Sequence, residues 1–262
     1  MILRLQLQEL RQIRQYTYLI LSQATHIQLM TTFNLKRKTL TLIENKINKT
    51  GTVLDVRAWE PATIFEVDLY LPYVNMHQWK DTRHIKIRVA SFTYRDYTPA
   101  WWDAETHTCT LLVDAAHDGP GSQWVKSLRQ GDIIHYVGES SSHHHTVKNA
   151  RHILLGDISA VAHFAAMHQL AESDCEIHGA VVIDEPHHRE EFKEYFPKLP
   201  LAAIAKDTTA TDSLAIWLSD FKPDMEDVFY IAGNSDMAVQ LRKILKQQGF
   251  WGTQIKVQGF WK

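Results

Sequence analysis

The stretch Leu154-Leu155-Gly156-Asp157-Ile158-Ser159-Ala160 joins an apolar segment to a helical segment through one glycine. Beyond it, apolar strand candidates alternate with helical stretches, of which Ser159–Ala171 and Asp236–Gln248 are the clearest. The strand candidates are His152–Leu155, His178–Ile183, Leu199–Ala205, Val228–Ala232 and Gln254–Val257. Four strand–helix repeats closed by a strand predict a parallel sheet with helices on both faces.

The preceding part of the chain, residues 51–149, has a different rhythm, with apolar and polar residues alternating at period two. Phe65, Val67 and Leu69, for example, alternate with Ile64, Glu66 and Asp68, which is typical of a half-buried strand. Six such segments separated by turns predict a six-stranded antiparallel barrel rather than an open sheet. They are Thr52–Arg57, Ile64–Leu69, Ile85–Val89, Tyr94–Thr98, Thr108–Val113 and Asp132–Val137.

Length and composition agree with this division. At about 100–200 residues per domain, 262 residues favour two domains. We expect a barrel over 51–149, an α/β domain over 150–262 and a basic, partly dispensable extension over 1–50. Apolar residues make up 45% and charged residues 22%, which excludes collagen-like, low-complexity and wholly disordered classes.

Charge is distributed unevenly along the chain. The net charge of −2 provides no long-range attraction to nucleic acid or to an anionic membrane, so we expect neither as a partner. Residues 1–49 nevertheless contain eight Lys and Arg against two acids. Within residues 1–29, Leu3, Leu7 and Leu10 form only a weakly apolar helical face, and Met30 would also serve as a start site. We therefore expect residues 1–29 to add little to the fold.

Compartment is indicated by the cysteines and by the lengths of the apolar runs. Cys109 and Cys175 are too few for a disulfide framework or a four-cysteine metal site, and we expect them to pack in or beside strands. No run approaches the roughly 18 apolar residues of a membrane span. The N-terminal run Tyr16–Leu21 is too short for a secretory signal. These features predict a cytoplasmic protein.

Two clusters in the barrel region carry groups that bind phosphates. Arg95-Asp96-Tyr97-Thr98-Pro99 ends a strand and offers a guanidinium, an aromatic ring and a hydroxyl, although each is also an ordinary strand-edge residue. His117-Asp118-Gly119-Pro120-Gly121-Ser122-Gln123-Trp124 is a Gly-rich turn. Ser122 is expected to cap a helix that runs through Arg129 and ends at Gly131. Such a turn is either a pyrophosphate cradle or a plain capped helix with Trp124 and Leu128 as a core pair.

Three further turns lie at the predicted carboxyl ends of strands in the α/β region. Gly156-Asp157 and Gly233 each join a strand to a helix, but the G-x-G-x-x-G spacing of a dinucleotide fingerprint is absent. Asp184-Glu185-Pro186-His187-His188 stands where a Rossmann-like domain reads a nucleotide ribose. Its alternative is a charged turn.

The order of these elements resembles the siderophore-interacting proteins, which are flavin-dependent ferric-siderophore reductases related to ferredoxin reductases. Residues 51–262 carry the resemblance, through the Arg95 and Gly119 clusters, Gly131-Asp132, Gly156-Asp157 and the closing Gly259-Phe260-Trp261-Lys262. It implies that Arg95 binds the FAD pyrophosphate, that Tyr97 stacks on the flavin and that Thr98 bonds near flavin N5. The cofactor-binding set that we expect from the resemblance is Arg95, Tyr97, Thr98, Asp114, His117, Gly119, Pro120, Gly121, Ser122, Gly156, Asp157, Gly233 and Trp261.

The resemblance also implies an activity. The α/β domain would admit NADH or NADPH over the flavin, and electrons would pass singly to Fe³⁺ in a siderophore, releasing Fe²⁺ in the cytoplasm. Such chemistry needs positioning more than acid–base groups, so no catalytic side chain and no resident metal are expected. A general NAD(P)H:flavin oxidoreductase and a non-catalytic flavin- or ferric-chelate-binding protein are the alternatives. Oligomeric state and the choice of nicotinamide cofactor stay open.

The chain departs from the family at two places. Phe260 replaces a common Tyr, and Gly138-Glu139-Ser140-Ser141-Ser142-His143-His144-His145 replaces a loop that contains Gly, Pro and Arg. We interpret the His143–His145 run as a solvated loop rather than a metal site. An anionic ferric siderophore would need basic groups beside the flavin, and the resemblance points to Lys86 and Lys262.

Overall fold

The computed structural model describes residues 48–142, 144–172 and 174–261. The predictions about the basic extension, His143 and Lys262 therefore fall on residues outside the described part of the chain. Lys49 opens a compact unit that contains both the barrel and the α/β region.

A single antiparallel sheet forms the barrel. Its strands are β1 (Lys49–Trp59), β2 (Ile64–Tyr70), β3 (Arg83–Ala90), β4 (Thr93–Tyr97), β5 (Pro99–Asp103), β6 (Thr108–Asp114) and β7 (Ile133–Ser141). They pair in the order β4-β3-β7-β1-β2-β6-β5. The two strands at the ends of this order, β4 and β5, are separated in the chain only by Thr98, so the sheet curls into a barrel. The barrel is predicted correctly, but it has seven strands rather than the predicted six.

The strand β5 is the one that the sequence pattern does not distinguish. Trp101 and Trp102 are adjacent and both are half-buried, so the apolar–polar alternation that identifies the other strands is missing here. Pro99 opens the strand and pairs with Leu111 of β6. A proline suits the first residue of a strand because it has no N–H to donate to the ladder.

The helix that follows β6 differs from the prediction at both ends. Helix α1 spans Pro120–Ser127, with Gly119 as its N-cap and without a side-chain cap. Ser122 is therefore a buried residue within the helix and not its cap. Proline at the first helical position explains the earlier start, since its fixed φ suits the first turn and its missing N–H costs nothing there.

The α/β region contains five parallel strands in the order β10-β9-β8-β11-β12. The strands are β8 (Arg151–Asp157), β9 (Glu176–Val182), β10 (Ala202–Ile204), β11 (Val228–Asn234) and β12 (Ile255–Trp261). The helices are α2 (Val161–Leu170), α3 (Pro186–Tyr195), α4 (Ala210–Phe221) and α5 (Ser235–Gln247). The predicted alternation of strand and helix is confirmed, including the closing strand.

Side chains of one strand point to two different cores. Leu154 of β8 packs in one cluster with residues of α2 and α3. Its neighbours Ile153 and Leu155 pack in another with residues of α4 and α5. Period-two alternation thus places two helices on each face of the sheet, as the Rossmann-like pattern predicts. Strand β10 is shorter than predicted because Pro200 precedes it and cannot donate to a ladder.

The barrel and the α/β sheet share a hydrophobic core. Trp59, Ile64 and Ala100 of the barrel belong to the same buried cluster as residues of α2 and α3. The Trp59 ring stacks on Tyr195 with centroids 3.6 Å apart. This shared core fixes the strand ends of the α/β sheet against the barrel, which creates the cavities described below.

The two cysteines lie in or beside strands of the two sheets. Cys109 is buried within β6, as expected, while Cys175 is half-buried in the turn just before β9. Within the described ranges, none of the helices is long and apolar enough to cross a membrane.

Candidate functional site

Two cavities lie where the barrel meets the α/β sheet. The first, the barrel cavity, has a volume of about 700 Å³, and the second, the sheet cavity, about 670 Å³. Asp114, His117 and Trp261 line both. Most of the predicted cofactor-binding residues line the barrel cavity: Arg95, Tyr97, Thr98, Asp114, His117, Gly119, Pro120, Gly121, Ser122 and Trp261.

The start of α1 opens into the barrel cavity. Gly119 caps the helix without a side-chain hydrogen bond, so the first N–H groups of the helix remain for another acceptor. A Cβ placed on Gly119 would meet no atom within 4 Å. Backbone donors and the positive end of the helix dipole thus face open space, an arrangement that suits phosphate oxygens.

Arg95 of β4 lies beside this helix start. A Cβ on Gly121 would lie 3.8 Å from Arg95 Cγ, which places the arginine stem next to the first turn of α1. The guanidinium is exposed, and its Nη1 donates to the carbonyl oxygen of Tyr94 at 2.9 Å. A planar guanidinium has five N–H donors. Arg95 and the start of α1 together form a site that suits a diphosphate, such as the pyrophosphate of FAD.

Tyr97 provides the aromatic surface of the barrel cavity. Its ring stacks on Trp124 of α1 with centroids 5.6 Å apart and planes inclined by 23°. Burial raises the pKa of the Tyr97 phenol to about 12, so the phenol stays neutral. Gly121 is required here because a Cβ would lie only 2.6 Å from Tyr97 Oη. Tyr97 is therefore held against α1, one residue before Thr98.

Trp261 separates the two cavities. Its indole Nε1 donates to Ser159 Oγ at 3.1 Å, and its ring lies 5.4 Å from that of His117. Strand β12 delivers this residue to the carboxyl edge of the sheet. The sequence predicts Trp261 as a cofactor-binding residue, and the structure places it at the boundary between the two candidate binding volumes.

Asp157 lines the sheet cavity and ties together the ends of β8 and β11. Its carboxylate accepts hydrogen bonds from the backbone N–H groups of Ser159 at 3.0 Å and Asn234 at 2.8 Å. Burial raises the pKa of this carboxyl group, although the hydrogen bonds oppose the shift. Gly233 adopts φ +114°, and a Cβ there would lie 2.5 Å from Asp157 Oδ1.

Gly156, like Gly233, leaves no room for a side chain. A Cβ would lie 2.6 Å from the carbonyl oxygen of Ala232 and 2.7 Å from Cβ of Ala160. Gly156 and Gly233 thus permit close packing of the strand ends and do not themselves line either cavity. Both are placed beneath the sheet cavity rather than in it.

Buried histidines are the feature that sequence reasoning missed. His144 is only 6% exposed, so the prediction of a solvated His143–His145 loop is wrong at this position. Its Nδ1 lies 2.9 Å from Nε2 of His163, a buried residue of α2 that lines the barrel cavity. Burial holds the pKa of His163 well below its usual range. Nothing in the local sequence signals this pair, because 19 residues separate the two histidines.

A metal centre is not formed by these histidines. Across the ranges 48–142, 144–172 and 174–261, no group of three or more His, Cys, Asp or Glu residues could hold a metal ion. His144 is buried beside His163, and Tyr230 Oη donates to the backbone carbonyl oxygen of His145.

Lys86 does not line the barrel cavity. Its ammonium lies 2.8 Å from Asp96 Oδ1, on the facing position of β4, and both side chains are about half exposed. Asp96, by contrast, lines the cavity. The structure thus places Lys86 beside a cavity-lining carboxylate and not in the cavity itself.

The Asp184–His188 turn lines the sheet cavity through Asp184, Glu185 and His188. Asp184 pairs with Lys206 at 2.7 Å. Glu185 caps α3 by accepting from the His187 N–H. The turn is thus charged and helix-capping, and it also lies where a bound nucleotide would be contacted.

Comparison with known families supports the resemblance inferred from the motifs. Residues 149–262 match the family model described as siderophore-interacting protein. The match to this family therefore covers the α/β region, which is less than half of the chain. No curated protein matches the sequence.

Solved structures extend the likeness to the barrel. The siderophore-interacting protein from Acinetobacter baumannii is 16% identical, with a TM-score of 0.68 over 82% of this chain and 90% of that one. A siderophore utilization protein from T. fusca is 20% identical, with a TM-score of 0.65 over 82% and 92%. The flavohem-like FAD/NAD-binding domain of a nitric oxide dioxygenase from Vibrio cholerae is 16% identical, with a TM-score of 0.64 over 82% and 99%. At these identities the likeness establishes the fold: a barrel followed by a Rossmann-like domain, as predicted.

Proposed function

We propose that this protein is an NAD(P)H-dependent flavoenzyme that reduces ferric siderophores and releases Fe²⁺ in the cytoplasm. The observation that carries the proposal is the pairing of two cavities across Trp261. One of them has an arginine, an open helix start and an aromatic ring along its wall. The other lies at the carboxyl edge of a parallel sheet, where such folds bind nucleotides.

FAD would occupy the barrel cavity. Arg95 and the N–H groups at the start of α1 would bind its pyrophosphate, because both are donors and both carry positive charge. Tyr97 would lie against the isoalloxazine ring, and Thr98 would place its hydroxyl near N5. The stack of Tyr97 on Trp124 holds the tyrosine in this position.

The nicotinamide nucleotide would occupy the sheet cavity. Asp114, His117 and Trp261 line both cavities and would therefore lie between the two cofactors. A bound flavin would accept a hydride from the nicotinamide and pass electrons one at a time to Fe³⁺. The role of this chain's residues would be to hold and orient the reactants. Iron would leave after reduction because chelators with hard oxygen ligands bind Fe²⁺ less tightly than Fe³⁺.

A second candidate is a reductase of the same type with another electron acceptor. It is favoured by the charges in the barrel cavity, where Arg95 is the only Lys or Arg among the described lining residues. An anionic ferric chelate would then rely on Lys262 or on the paired Lys86.

Anaerobic absorbance measurements test both candidates. The protein is mixed with NADH or NADPH while the flavin band is followed, and a ferric siderophore is then added with a ferrous-ion trap. Bleaching followed by reoxidation and trapped Fe²⁺ supports ferric reduction. Bleaching without reoxidation by the chelate indicates another acceptor. Bound FAD that neither nucleotide bleaches indicates a non-catalytic binding protein.

Loss of FAD from an Arg95 variant is the first prediction. Purified wild-type protein should be yellow with non-covalent FAD, whereas Arg95→Ala should bind FAD at least about tenfold more weakly, because a charge-assisted contact is removed. Absorbance of the purified protein and titration of the apoprotein with FAD measure this. Arg242→Ala, an exposed arginine of α5 outside both cavities, is the matched control. Colourless wild-type protein that takes up no added FAD would refute the proposed function.

A further inference from the structure

The sheet cavity is strongly acidic. Its described lining residues include five carboxylates, Asp114, Asp157, Asp184, Glu185 and Asp236, but only one Lys or Arg, Lys206. NADH and NADPH differ only by the 2′-phosphate of NADPH, which adds a charge of about −1.5 to −2 near neutral pH. An acidic cavity therefore discriminates between them by charge.

The single lysine is already neutralised. Lys206 Nζ lies 2.7 Å from Asp184 Oδ2, and both side chains are partly exposed. Asp184 lies two residues beyond the end of β9, which pairs with β8 in the sheet. In Rossmann-like domains an acid near this strand end accepts from the ribose 2′-hydroxyl, whereas an arginine accommodates a 2′-phosphate.

Arg189, in the first turns of α3, donates hydrogen bonds to the backbone of the preceding segment. Arg189 Nη1 donates to the carbonyl oxygens of Ile183 at 2.7 Å and Asp184 at 3.1 Å. It does not line the sheet cavity. Arg189 therefore braces the turn that presents Asp184 and does not provide a phosphate contact.

The start of α4 already carries a negative charge. Thr209 caps the helix by accepting from the Asp212 N–H at 3.1 Å, and its hydroxyl donates to Asp212 Oδ2 at 2.7 Å. A carboxylate thus already lies in the first turn. Negative charge at a helix start offsets part of the attraction that the helix dipole would exert on an anionic ligand.

We propose that the sheet cavity selects NADH over NADPH, with Asp184 as the specificity-determining residue. Asp184 accepts from the ribose 2′-hydroxyl of NADH and holds Lys206 so that this lysine cannot compensate a 2′-phosphate. This inference rests on the proposed function and specifies its electron donor.

Titration calorimetry with the oxidised nucleotides tests the proposal without turnover. The protein as purified is titrated with NAD⁺ and with NADP⁺, and we expect NAD⁺ to bind at least about tenfold more tightly at low salt. The preference should diminish as ionic strength rises through about 0.15 M, because screening weakens the repulsion.

Variants assign the preference to Asp184. Asp184→Asn frees Lys206 and should reduce the ratio of the two dissociation constants about tenfold. Adding Lys206→Ala to Asp184→Asn should abolish that gain. Asp220→Asn, an exposed carboxylate of α4 outside the cavity, is the matched control and should leave the ratio unchanged.

The outcomes separate this inference from the proposed function. Wild-type protein that binds NADP⁺ as tightly as NAD⁺, or an Asp184→Asn variant with an unaltered ratio, overturns the inference while flavin reduction can still be observed. Protein that binds FAD but neither nucleotide overturns the inference together with the proposed function.

Discussion

Lys86 and Asp96 face each other on neighbouring strands, at the edge of the barrel cavity. The salt bridge of 2.8 Å keeps the Asp96 carboxylate, which lines the cavity, electrostatically compensated. Under the proposed function, an anionic ferric chelate that approaches the barrel cavity would therefore meet a neutral pair rather than a lone carboxylate. The resemblance implies that Lys86 contacts the siderophore directly, and the structure places Lys86 beside the cavity, paired with a carboxylate that lines it.

A pair of opposite substitutions tests this. Lys86→Ala should raise the KM for an anionic ferric siderophore by up to about fivefold at low salt, because the uncompensated Asp96 carboxylate would repel the siderophore. A larger change is not expected, since an exposed ion pair contributes at most about 1 kcal/mol. Asp96→Asn should lower the same KM. Steady-state assays with an anionic and a neutral chelate measure the effect, and Lys246→Ala on the exposed face of α5 is the control. Equal changes for both chelates would contradict an electrostatic cause.

The contacts of single residues were the least predictable part of the site. The resemblance to the siderophore-interacting proteins predicts Arg95, Tyr97 and Gly121 as members of one site, and all three line the barrel cavity. It does not predict that Tyr97 stacks on Trp124 or that His144 meets His163, since these contacts depend on tertiary packing. Ser122 was misjudged because Pro120 starts α1 two residues earlier.

Helix α2 contains a buried histidine, His163, whose protonated form is unfavourable in the core. Seven consecutive residues, Val161 to Met167, are buried, and His163 is among them. Its environment contains His144 from the loop after β7 and His84 of β3, both of which lower the pKa of His163 further, after burial itself. A proton on His163 would place a charge in this core.

Stability should therefore fall in mild acid. An unfolded histidine titrates near 6.5, whereas buried His163 takes up a proton only well below that pH. The unfolded chain thus binds more protons below about pH 6.5, and the free energy of unfolding decreases there by up to about 1.4 kcal/mol per pH unit for this group. Urea unfolding of His163→Gln at pH 7.5, 6.5 and 5.5 should show a shallower decrease. His77→Gln, an exposed position, should keep the wild-type slope, and equal slopes for both variants would contradict the assignment.

Secondary structure followed the sequence wherever periodicity was strong. Strands β2 and β6 alternate clearly between buried and less buried residues and were predicted within a residue or two. Strand β5 was not distinguished because both of its tryptophans are half-buried, and β10 was overestimated because Pro200 restricts its start. Element type thus follows local pattern, while boundaries follow individual prolines and packing.

At the scale of the whole molecule, the two predicted domains share one buried cluster, and each also has a cluster of its own. The chain passes from barrel to α/β sheet between β7 and β8, yet Trp59, Ile64 and Ala100 pack with α2 and α3. Gln169 of α2 also exchanges hydrogen bonds with the backbone of Trp102 in β5, donating to its carbonyl oxygen at 2.9 Å and accepting from its N–H at 3.4 Å. The boundary between residues 149 and 150 therefore stays a proposal for where the two segments of the chain divide. Each segment buries part of its apolar surface against the other.

Cooperative unfolding follows from this shared core. Trp59 is 1% exposed, stacks on Tyr195 and donates from its indole to Glu66 at 3.1 Å. Calorimetry of the wild-type protein should show one transition, because neither half can keep its side of the core buried alone. Trp59→Ala should cost about 3–5 kcal/mol through the cavity and the lost stack, which corresponds to a Tm lower by roughly 10 °C. Trp251→Ala removes a tryptophan that is 74% exposed and should leave the Tm nearly unchanged. Two resolved transitions in the wild-type protein, or an unaltered Tm in Trp59→Ala, would show that the barrel and the α/β sheet are stable independently.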